Sequence, residues 1–178
     1  MTTFSDALKN AGIIPAEPVR YNKETAGSLT LEMKLYEMKS HISAMARIYQ
    51  KYLSADGDDK FDFVDSLANR YGYMVISFQD IMTTIGKLNG SLNKTGNITM
   101  RRAISEFQSL FEQECKAQRL DDAVSSFADR NEIVHLYENY KGNMEKVLEN
   151  VQNYCAEYEK IRIILWQYSE HKGILNSN

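Results

Sequence analysis

The sequence predicts an all-α protein, an antiparallel up-and-down bundle of four long helices with a shorter helix that carries a polar motif. Three observations predict it. Apolar residues recur at every third or fourth position through most of the chain, which is the period of one helix face. No stretch of useful length alternates apolar with polar residues, as a half-buried strand would. Both prolines of the 178 residues stand at positions 15 and 18, ahead of the periodic segments, so neither interrupts a helix. At 43% hydrophobic and 11% aromatic, a chain of this length can bury one real core.

Residues 1–28 read as an N-terminal arm, in which Ser5 can cap a short helix before the extended stretch around Pro15 and Pro18. From about residue 28 the pattern turns helical, with Leu31, Leu35, Met38, Ile42, Met45, Tyr49 and Tyr52 on one stripe. The acidic turn Ala55-Asp56-Gly57-Asp58-Asp59 ends it. That run is too short, and too poor in spaced ligands, to be an EF-hand calcium loop. A second helix places Val64, Leu67, Tyr71, Met74, Phe78, Ile81, Ile85 and Leu88 together and stops at Asn89-Gly90. Met33, Met45, Met74 and Met82 belong to these two helices and read as core. After a polar loop at 89–98, a third helix carries Ile104, Phe107, Leu110 and Phe111 behind Arg101-Arg102. The motif helix spans about residues 120 to 140, and Gly142 marks a turn after it. The last helix, from about residue 143 to 168, aligns Val147, Val151, Tyr154, Tyr158, Ile161, Leu165 and Tyr168. Trp166 is either the closing plug of the core or part of a dimer surface. The bundle domain is thus 29–172, with a tail at 173–178 that frays.

Composition excludes several function classes. A net charge of −3 and a pI near 5.7 argue against a protein that grips nucleic acid with its whole surface, so any RNA contact is local. Cys115 and Cys155 form neither a disulfide framework nor a metal-ligand spacing and read as small core fillers in a reducing compartment. His41, His135 and His171 are far apart and lack the cysteine or carboxylate neighbours of a zinc centre, so neither metal nor cofactor is expected. There is no Gly-rich phosphate loop, no signal-peptide pattern and no apolar run approaching eighteen residues. The expectation is a soluble, cytoplasmic protein with no membrane contact.

The chemistry concentrates in Arg130-Asn131-Glu132-Ile133-Val134-His135-Leu136-Tyr137. At 100° per residue, with Arg130 at zero, Val134 falls near 40°, Asn131 near 100° and His135 near 140°. Ile133, Leu136, Tyr137 and Tyr140 occupy the arc from about 240° to 340°. One helix therefore carries an apolar face and, beside it, an Arg/Asn/His face whose polar groups each require a partner or water. Histidine can take the proton from an RNA 2′-hydroxyl or protonate a leaving 5′-oxygen, and arginine presents a fixed fork of donors to the phosphate. Asn131, four residues before His135, can orient the imidazole or hold a phosphate oxygen. A single copy lacks the second proton-transfer group, which a symmetric dimer would supply. Tyr137 lies about 20° from Arg130 on the wheel, at the mouth of the same cleft or within the core.

Arg130-Asn131-x3-His135-x-Tyr137, on the penultimate helix of an all-helical chain, resembles the signature of the HEPN superfamily, an Arg and a His with four to six residues between them and a polar residue after the Arg. The added Tyr makes it most similar to the HepT toxins of HepT/MNT toxin–antitoxin pairs. The resemblance covers about residues 29 to 170, and its specific identity is concentrated between residues 127 and 140. It implies a metal-independent endoribonuclease, a toxin or defence effector whose catalytic Arg130 and His135 meet their counterparts at a homodimer cleft. It also implies RNA rather than DNA as substrate, products with a 2′,3′-cyclic phosphate, and Asn131 as the polar accompaniment. Tyr137 then becomes the regulatory position to which an MNT-like nucleotidyltransferase antitoxin attaches AMP. Arg101 and Arg102 are the further candidate phosphate contacts, or simply an exposed helix start. The competing reading is a non-catalytic adaptor that uses the same cleft to hold a nucleotide or a protein.

Overall fold

The computed structural model describes residues 23–90, 99, 101–105, 118–134 and 140–175. Every element among them is helical. The long helices are α1 (Lys23–Ser54), α2 (Asp59–Leu88) and α5 (Tyr140–His171). Between α2 and α5 lie α3 (Gln118–Ser126), a 3-10 turn (Phe127–Asp129) and α4 (Arg130–Val134). Residues 101–105 are also helical, and the Thr99 hydroxyl accepts the Arg102 N–H at 3.3 Å, which caps that segment's first turn.

The core follows from the stripes. Leu31, Leu35, Met38, Ile42 and Met45 of α1 are buried against Val64, Leu67, Tyr71, Met74, Phe78, Ile81 and Ile85 of α2, and Val147, Val151, Tyr158, Ile161 and Leu165 of α5 close the third side. Each fully buried Leu, Ile or Met contributes about 1.5–3 kcal/mol relative to an exposed one. α1 reverses into α2 through the acidic turn, where Gly57 takes φ +59°, a left-handed conformation that favours glycine. α5 runs antiparallel to α1, with Cys155 beside Ile42 and Trp166 edge-on to Tyr36 at 5.5 Å. Trp166 is therefore a half-buried lid at the α1–α5 seam. No helix among the described residues is long and apolar enough to cross a membrane.

The structure departs from the sequence-based expectations at five places. α1 begins at Lys23, so the last residues assigned to the arm are helical. Met33, expected in the core, is 58% exposed, because it lies about 200° from both Leu31 and Leu35 on the helix. The motif helix is not continuous from 120 to 140, since the 3-10 turn interrupts it. Gly142 lies inside the first turn of α5, which starts at Tyr140, so it marks no turn. The tail does not fray at Lys172. Gly173, at φ +67°, closes a Schellman cap in which the Ile174 N–H reaches the Ser169 carbonyl (2.8 Å) and the Gly173 N–H the Glu170 carbonyl (2.9 Å). That cap turns Leu175 back into the core at 4% exposure. Of the four long helices expected, three are described, and the rest of the third, with Phe107, Leu110, Phe111 and Cys115, lies outside the described residues.

Candidate functional site

Ser126 starts the break that positions the motif. Its hydroxyl donates to the Ala123 carbonyl at 2.7 Å, a local bond that competes with helix continuation. The next three residues tighten, and the Arg130 N–H bonds to the Phe127 carbonyl instead of reaching back to Ser126. The Ser126 carbonyl, at the N-cap of this 3-10 turn, also accepts the Tyr71 hydroxyl of α2. Phe127 anchors the turn in the core, 4.4 Å from the Phe78 ring and 5.2 Å from the Tyr158 ring, and is fully buried.

A polar network ties this turn to α2 and α5. Because the Ser126 proton points at Ala123, the Tyr158 hydroxyl donates to Ser126 Oγ, at 2.6 Å. Asn150, 5% exposed, donates from Nδ2 to Asp129 Oδ2 at 3.0 Å and to the Tyr71 hydroxyl at 3.4 Å. Lys146 Nζ lies 3.2 Å from Asp129 Oδ1 and 2.6 Å from Glu132 Oε2. Every polar group in this chain of contacts has a partner, the condition under which a buried network holds its shape. Burial pushes both the Tyr71 and the Tyr158 hydroxyl well above the usual phenol range. The hydrogen bond to Glu132, followed by Asp129, holds the Lys146 ammonium above the ordinary lysine value.

The motif residues divide by face. Asp129, Glu132 and the fully buried Ile133 all lie toward α5 and the core, at about 200–300° from Arg130 on the wheel. Asn131 is exposed on the other side, and its Oδ1 accepts from Arg130 Nη1 at 3.2 Å. Arg130 is half-buried; its Nε is shielded from solvent and has no hydrogen-bond partner among the described residues. The structure thus brings Arg130 and Asn131 together. Arg101 and Arg102 are exposed in the 101–105 segment. His135 and Tyr137 lie outside the described residues.

Sequence reasoning missed the residues that hold the site: Tyr71, Ser126, Asp129, Lys146, Asn150 and Tyr158. Two signals pointed to them. A tyrosine within an apolar stripe carries a hydroxyl that must find a partner, and Lys146 with Asn150 forms an i, i+4 pair on one face of α5.

A separate groove of about 530 Å³ runs between α1 and α5, lined by Ile42, Ala46, Tyr49, Val151, Cys155 and Ala156 among others. Burial pushes the Cys155 thiol up to about 11, so at neutral pH it is a protonated filler and not a nucleophile. No described motif residue lines this groove.

No family model, no curated protein and no solved structure matches the chain.

Proposed function

We propose that the chain is a metal-independent endoribonuclease of the HEPN kind, a toxin or defence effector that cleaves RNA in the cytoplasm as a homodimer. The observation that carries this reading is the pairing of Arg130 with Asn131 on the face of α4 turned away from α5, where a phosphate can meet both. α1, α2, α5 and the 101–105 segment are then the described parts of a four-long-helix HEPN arrangement.

In this mechanism His135 of one protomer removes the proton of the RNA 2′-hydroxyl, and the 2′-oxygen attacks the adjacent phosphorus. The 5′-oxygen leaves and takes a proton from His135 of the second protomer, yielding a 2′,3′-cyclic phosphate and a 5′-hydroxyl. Arg130 stabilises the negative charge that builds on the non-bridging oxygens, and Asn131 orients the imidazole or the phosphate. Arg101 and Arg102 receive flanking phosphates. An MNT-like nucleotidyltransferase silences the enzyme by attaching AMP to Tyr137, placing an anion where Arg130 would otherwise receive RNA.

The test is incubation of the purified chain with end-labelled single-stranded RNA in the presence of EDTA, followed by analysis of the product termini. Cleavage to 2′,3′-cyclic phosphate ends, lost in both Arg130→Ala and His135→Ala, supports the reading. RNA or nucleotide binding without cleavage overturns it in favour of the adaptor.

A further inference from the structure

Arg130 stands in the chain between two acids, with Asp129 before it and Glu132 two residues after it. Glu132, about 200° round the helix, faces away from it, whereas Asp129 lies at the same angular distance as Asn131, which Arg130 does reach. Arg130 makes no ion pair among the described residues, and both carboxylates are engaged from the α5 side. Lys146 bridges Asp129 Oδ1 and Glu132 Oε2, and Asn150 takes the other Asp129 oxygen. The reach of Arg130 is not what keeps it from Asp129. Its Nη1 already contacts the side chain of the residue on its other side, Asn131, and its Nε is buried and unpartnered among the described residues. A buried N–H of a charged group without an acceptor is costly, so the group is poised to take one.

We infer that Lys146 is a positioning residue that keeps Arg130 available to a phosphate oxyanion by occupying the Asp129 carboxylate that would otherwise capture it. The assignment of that oxyanion to an RNA phosphodiester rests on the function proposed above; the positioning itself does not. Lys146 contacts the acids on the side of α4 that faces α5, while Asn131 and the Arg130 fork lie on the other, so Lys146 acts through Asp129 and Glu132 and not by touching the ligand. Asp129 is the competitor, being adjacent to Arg130 and fixed in the 3-10 turn. Glu132 gives the ammonium its second, shorter hold.

The experiment titrates inorganic phosphate into the full chain while following the Arg130 Nε–H resonance, identified by its loss in Arg130→Ala. Lys146→Met should weaken phosphate binding roughly tenfold and shift that resonance in the absence of phosphate, as Asp129 captures the guanidinium. Lys146→Met combined with Asp129→Asn should restore both, since the amide is a weaker competitor. Asp129→Asn alone should bind phosphate at least as well as the wild type, a readout that does not depend on Lys146→Met folding. Failure of the double variant to recover would mean that Lys146 attracts the anion by its own charge, and would overturn the inference. So would loss of phosphate binding in Asp129→Asn. RNA cleavage separates the two proposals. A wild type that binds phosphate as described but cuts no RNA sinks the nuclease and leaves the role of Lys146 standing. A nuclease that is unchanged by Lys146→Met sinks only the latter.

Discussion

Tyr71 shows how much a single hydroxyl decides. Its ring belongs to the α2 stripe and its burial was legible from spacing alone, but its partner, the Ser126 carbonyl, stands at the start of the 3-10 turn on another element, fifty-five residues later. Spacing within one element cannot reveal an acceptor that another element creates. Tyr71→Phe leaves the Ser126 carbonyl buried without that donor and removes one acceptor from Asn150, so unfolding free energy should fall by about 1–3 kcal/mol, read as a lower urea midpoint at unchanged m. The same hydroxyls set an alkaline limit. The folded-state values of Tyr71 and Tyr158 are raised, so above the unfolded-state value near 10 the unfolded chain binds fewer protons than the native one. Stability should therefore be insensitive to these groups below about pH 9 and fall above pH 10 by roughly 1.4 kcal/mol per pH unit for each tyrosine. Ultraviolet titration should find both phenolates appearing only as the protein unfolds; normal titration of either in the folded state would contradict the network. At the candidate site, Arg130 and Asn131 were singled out from residue type and order, and the structure shows them hydrogen-bonded to each other. Lys146, Asn150 and Asp129 were not, because their role depends on where α5 lies.

At the scale of elements, the stripes and the glycine stops were legible. α1 ends at Ser54, and α2 ends where the Asn89 N–H reaches the Ile85 carbonyl, just before Gly90 at φ +76°. Periodicity also carried the second and last helices nearly intact, because a face that must be buried repeats regardless of its partner. It failed where a side chain competed with the backbone. Nothing in the period of residues 120–140 signals that the Ser126 hydroxyl, Tyr71 and Phe127 together favour a 3-10 turn over another α turn. Gly142 misled in the opposite direction, since a glycine within a helix lowers its stability by less than the packing of Val147 and Val151 restores. The helix end at Gly173 offers a clean test. A Cβ there would meet nothing within 4 Å, so the penalty for Gly173→Ala is conformational. It should cost about 1–2 kcal/mol and lower Tm by about 2–8 °C, with Leu175→Ala costing about 2–5 kcal/mol by emptying its site. Equal melting of wild type and Gly173→Ala would mean that the cap does not hold the tail.

For the whole molecule, the all-helical class was legible from three observations on the chain, and the assembly was not, because a single sequence does not print which faces meet. The proposed two-fold contact at the motif makes a definite expectation: the chain sediments as a dimer at micromolar concentration, and a spin label at Asn131→Cys gives a shorter inter-protomer distance than one at the exposed Asp65→Cys on α2. A dimer with the opposite order of distances would place the two Arg130 side chains in separate sites. The 3-10 turn also acts as a vernier between two clocks. Three residues at 120° complete a full revolution where an α-helix would advance about 300°, so α4 is rotated by about 60° from the direction that an unbroken helix from α3 would give it. Deleting one residue from Phe127–Asp129, or straightening the turn, would leave all the motif residues present and in order, yet swing Arg130 off its face and carry Ile133 out of the core. In this protein the direction of the arginine is stored in the pitch of the three residues before it.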